Sequence, residues 1–86
     1  MTLPKWMKAN LSNPVLAAEA LRQAADAANG CRKTAASLNA AGRDHHDDPG
    51  WQAQVRASHV LADVAERYGF DGQDVMNEAA RRRGAA

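Results

Sequence analysis

The stretch from Pro14 to Leu38, PVLAAEALRQAADAANGCRKTAASL, decides how this chain folds. Within it Ala17, Leu21, Ala24, Ala28, Cys31, Ala35 and Leu38 recur at alternating spacings of four and three. That is the period at which side chains line one face of an α-helix laid against another helix. The face is mostly alanine. A partner helix can come close to it, yet each residue removes little apolar surface from water.

Working outward, Ser12 and Asn13 offer capping side chains just before Pro14, which fits a first helical turn. The seam keeps its phase through Asn29 and Gly30, so one helix from about 14 to 41 is expected, within a 13–42 segment. Gly30 is its weak point, because a mid-helix glycine costs about 1 kcal/mol relative to alanine. A break there, with Asn29 at a helix end, is the alternative. Gly42 should stop the helix, and Arg43–Asp48 forms the connection.

Asp47 or Asp48, followed by Pro49, starts a second helix over 48–69 that Gly69 ends. Trp51, Val55, Ser58, Ala62 and Ala65 lie on one stripe of it, flanked by Leu61, Val64 and Tyr68. A connection this short suits antiparallel neighbours, so an αα-hairpin follows. Then Asp71 and Asp74 stand at capping positions, with Phe70 and Val75 placed as a hydrophobic staple, and a third short helix is expected over 71–84. The reading is an all-α single domain: an N-terminal arm (residues 1–12), an antiparallel helical hairpin and a short third helix.

Composition makes this a lightly built domain. The chain has 86 residues and is 45% apolar, but 20 of the apolar residues are alanine. A small scaffold of that kind usually recruits disulfides, a metal or a second chain. Cys31 is the only cysteine, which excludes an internal disulfide and a four-cysteine zinc site and leaves assembly as the expected remedy. Cys31 itself falls on the seam, where a buried, inert thiol is expected. No stretch is long and apolar enough to span a bilayer, and no signal-peptide-like run opens the chain, so a cytoplasmic protein with no membrane role is expected.

The net charge of +1 hides a segregation: residues 1–43 carry +4, residues 44–80 carry −6, and Arg81–Arg83 add +3. If the two long segments fold back on one another, their opposite fields would favour antiparallel docking and leave less charge for an outside polyanion.

The residue types present bear on three chemistries. Asp44, His45, His46, Asp47 and Asp48 form the one cluster of metal-ligand types, but consecutive residues do not readily converge on one ion, so no metal or cofactor is expected. The serines and histidines lie in no nucleophile elbow or phosphate loop, and a hairpin poor in large apolar residues makes a weak frame for a dry pocket, so no enzyme is expected. Thr34–Leu38 leading to Gly42 resembles the opening helix of a helix-turn-helix, yet an acidic connection follows where a recognition helix is needed.

The expected function is a noncatalytic protein-interaction module, an inhibitor, adaptor or assembly factor of bacterial or phage type, acting by helix-face docking on itself or on a larger protein. Trp6, Trp51 and Tyr68 are its expected anchors, since aromatics dominate interface energetics. The alternative is a small nucleic-acid-binding protein using Lys5, Lys8, Arg32, Lys33, Arg81, Arg82 and Arg83.

Overall fold

The computed structural model describes residues 13–84, and these form three α-helices with one 3-10 turn and no strand among them. Helix α1 runs from Pro14 to Ala40, the turn covers His45–Asp47, α2 runs from Pro49 to Arg67, and α3 from Gly72 to Gly84. The hairpin of α1 and α2 with a short third helix is the architecture expected from the spacing. The N-terminal arm lies outside the described residues.

Each helix begins on the side chain that local chemistry favours. Asn13 Oδ1 accepts the backbone N–H of Val15 at 3.0 Å and of Leu16 at 3.2 Å, with Pro14 in the first turn. Asp48 Oδ2 accepts the Trp51 N–H at 2.8 Å ahead of α2. Ahead of α3 the two aspartates cap reciprocally: Asp71 Oδ1 accepts from the Asp74 N–H at 2.8 Å, and Asp74 Oδ2 from the Asp71 N–H at 3.0 Å. These bonds satisfy donors that a helix start would otherwise leave without partners.

The ends of α1 and α2 share one geometry. Gly42 and Gly69 adopt positive φ, 79° and 95°. After α1 the Arg43 N–H donates to the Leu38 carbonyl at 2.9 Å and the Gly42 N–H to Asn39 at 3.0 Å; after α2 Phe70 donates to Ala65 at 3.1 Å and Gly69 to Glu66 at 2.9 Å. Both are Schellman closures, which need a left-handed residue where glycine is unstrained. Gly30 does not interrupt α1, which is continuous through it.

The core is built from close backbones. The buried residues are Ala20, Ala24, Ala25, Ala65, Val75 and Ala79, five of the six being alanine, and no large side chain among the described residues is fully buried. Ala24, Ala65 and Val75 meet at the junction of the three helices, with Leu21, Leu61 and Phe70 packed around them. Helix α1 packs along both other helices, whereas α2 and α3 touch only briefly.

The seam residues from Ala17 to Leu38 are all at least half-buried, and Cys31 is half-buried with a free thiol. Burial also extends to Ala20 and Ala25, one on each side of the seam, because α1 packs along two helices. Among the described residues the ion pair that crosses between helices joins α3 to α1, Arg82 Nε lying 2.6 Å from Asp26 Oδ1.

Candidate docking surface

Where the three helices converge, their small residues leave a half-open cleft of about 380 Å³. Ala24 and Ala28 form its floor on α1, Ser58, His59 and Ala62 one wall on α2, and Gly72, Val75 and Met76 the other on α3. The sequence dictates this opening. Alanine on α1 and α2 brings the backbones close but fills little volume, and Gly72 has open space where a Cβ would stand. The Ser58 hydroxyl is turned back onto its own helix, donating to the Val55 carbonyl at 2.8 Å, so it adds little polarity to the wall. Met76 on the rim is 43% exposed, and Val60, on the outer side of α2, is 62% exposed.

The expected anchors do not gather at this cleft. Trp51 and Tyr68 are both half-buried and stand near opposite ends of α2, about 26 Å apart along its axis. Trp51 packs edge-on against His45 and His46, with ring centroids 4.8 and 5.6 Å away. Trp6 lies outside the described residues.

The basic residues divide as well. Arg32 and Lys33 are exposed on α1. Arg81 pairs with Glu78 on its own helix, Arg82 with Asp26, and Arg83 Nη1 donates to Asn29 Oδ1 at 2.7 Å. The Arg81 guanidinium holds the Glu78 carboxyl below its ordinary value through their hydrogen bonds. Lys5 and Lys8 lie outside the described residues.

Asn29 is the residue that sequence reasoning missed. Read as a potential helix end, it instead sits inside α1 and donates its side-chain amide to the Ala79 carbonyl of α3 at 3.1 Å. With Asp26 one turn earlier it forms a polar pair on the α3-facing flank, and that i, i+3 spacing was the available signal.

The connection is more convergent than its sequence implies. The 3-10 turn brings one potential ligand atom each from Asp44, His45 and His46 within 4.8 Å of one another. Asp44 Oδ1 accepts the His46 backbone N–H at 3.0 Å and lies 2.9 Å from its Nδ1. Those bonds hold the Asp44 carboxyl below the ordinary carboxylate range, the backbone contact being the larger cause. Asp48 is already engaged as the α2 cap and faces Arg43 at 3.5 Å.

Compared with protein-family models, curated proteins and solved structures, the chain has no match. Among the described residues no helix is long and apolar enough to cross a membrane.

Proposed function

We propose that this chain is a noncatalytic protein-interaction module whose docking surface is the cleft between α1, α2 and α3. The observation that carries the reading is the cleft itself, an apolar opening of about 380 Å³ where the three helices meet, with no large side chain fully buried among the described residues. A domain this short of buried area gains stability when an apolar side chain from another polypeptide enters such a site. Its volume stands at the small end of the roughly 300–1,000 Å³ typical of binding pockets. The partner is an apolar helix face, presented by a second copy or by a larger protein that this domain inhibits, adapts or assembles. The cytoplasm suits the lone unpaired cysteine.

The arginines favour protein over nucleic acid as the partner. Each guanidinium of Arg81–Arg83 already has an acceptor within the chain, so a phosphate would compete with Glu78, Asp26 or Asn29. Among the described residues of that basic set, this leaves the exposed pair Arg32 and Lys33, a small footprint for counterion-driven binding.

The test is affinity capture on the full chain and on Met76→Glu, each with and without nuclease, after circular dichroism shows the variant folded. A stoichiometric protein held by the parent and lost with Met76→Glu is the expected result. Retention that depends on intact nucleic acid, and falls with Arg32→Ala and Lys33→Ala instead, would transfer the function to the basic surface.

A further inference from the structure

We infer that Asp44, His45 and His46 form a binding site for one divalent metal ion of the zinc, copper and nickel class. Imidazole and carboxylate are donors these ions accept, and three protein ligands leave further coordination positions open to water or to a partner's side chain. In an α-helix consecutive residues point to different faces. Here the three side chains nonetheless meet, because Asp44 is the extended cap of a single 3-10 turn and its carboxylate turns forward onto His46.

The ligand atoms lie within 4.8 Å of one another. A tetrahedral ion with bonds of about 2.0–2.1 Å needs donors roughly 3.3 Å apart, so side-chain rotations alone close the site. The shortest side is already near that value, with Asp44 Oδ1 2.9 Å from His46 Nδ1. An ion would replace the proton these two atoms share.

The rings are held by neighbours of the kind that orient metal-binding histidines. His45 Nδ1 lies 3.1 Å from Asn39 Oδ1, which engages that nitrogen and leaves Nε2 for the ion. The His45 and His46 ring centroids are 3.9 Å apart, and Trp51 closes one side of the pair. His46 and Asp44 are both open to solvent, which provides the entry path.

The experiment titrates the full chain, without a polyhistidine tag, with Zn²⁺ in a non-chelating buffer by calorimetry. A second titration follows quenching of Trp51 fluorescence by Cu²⁺ in a Trp6→Phe background, since the ring lies beside both imidazoles. One ion per chain is expected, with affinity falling at least about tenfold in His45→Ala and in His46→Ala. Asn39→Ala should weaken binding by a smaller factor, and His59→Ala should leave it unchanged. These positions other than the half-buried His45 are solvent-exposed, and unchanged circular dichroism confirms the fold in each variant. Absence of saturable one-to-one binding, or binding by His45→Ala and His46→Ala equal to the parent, would overturn the assignment.

Discussion

Asn29 of α1 donates its side-chain amide to the Ala79 carbonyl of α3 at 3.1 Å, across a sequence separation of 50 residues. Its oxygen accepts from Arg83 at 2.7 Å, and one turn earlier Asp26 receives the Arg82 guanidinium. Four side chains, Asp26 and Asn29 of α1 with Arg82 and Arg83 of α3, thus register the short helix against the long one at its C-terminal half, while Val75 and Phe70 fix its start on the apolar junction.

Asn29→Ala should therefore cost about 1–2 kcal/mol, since it removes two hydrogen bonds and leaves the α3 end to water. Urea unfolding measures the loss. Hydrogen exchange should rise across 72–84 more than in the hairpin. A uniform rise over the whole chain would mean that Asn29 does not act through α3 docking.

The helix ends are legible in the sequence because they are local chemistry. Asn13 with Pro14, Asp48 with Pro49 and the Asp71–Asp74 pair act within one turn, and Gly42 and Gly69 supply a backbone conformation that other residues resist. What spacing leaves open is set by long-range contact. Ala20 and Ala25 flank the seam on opposite sides, and their burial depends on α1 packing along two helices, which nothing local to α1 announces. The candidate site divides in the same way. The small-residue seam reads directly as close packing, but the cleft that results depends on where three helices meet. The convergence of Asp44, His45 and His46 is hidden because it depends on the extended Asp44 cap turning its carboxylate onto His46, a loop conformation that spacing does not encode.

Gly30 lies inside continuous α1, its backbone is not in the left-handed region, and an added Cβ would meet nothing within 4 Å. Alanine there restricts the unfolded chain and favours the helix, so Gly30→Ala should stabilise the domain by about 0.5–1 kcal/mol. For a domain of this size the melting temperature should rise by roughly 2–8 °C. A lower value would mean that the helix needs the glycine for close packing in solution.

Ala65 is fully buried where α2 meets Ala24 and Val75. A larger side chain has to push helices apart, so Ala65→Leu should destabilise by about 1–3 kcal/mol even though it adds apolar surface. Chemical denaturation distinguishes the cases: if Ala65→Leu stabilised the domain, the cleft beside it would have yielded to the new side chain.

Glu19 carries the clearest pH dependence. The Arg22 guanidinium binds it through two hydrogen bonds, that from Nε to Oε2 being 2.9 Å, and Gln23 adds a third at 2.9 Å. Arg22 first and Gln23 second hold the carboxyl down at about 2, against an ordinary 4.5. The folded chain thus binds this proton less readily than the unfolded one. Its stabilising effect is fully present above pH 4.5 and is lost as pH falls from there toward about 2. The pair is solvent-exposed, so the effect is small and weakens with salt. A carboxyl NMR titration should place the Glu19 midpoint near 2 in the parent chain and move it up toward 4.5 in Arg22→Ala. Equal midpoints in the two proteins would show that the ion pair does not persist in solution.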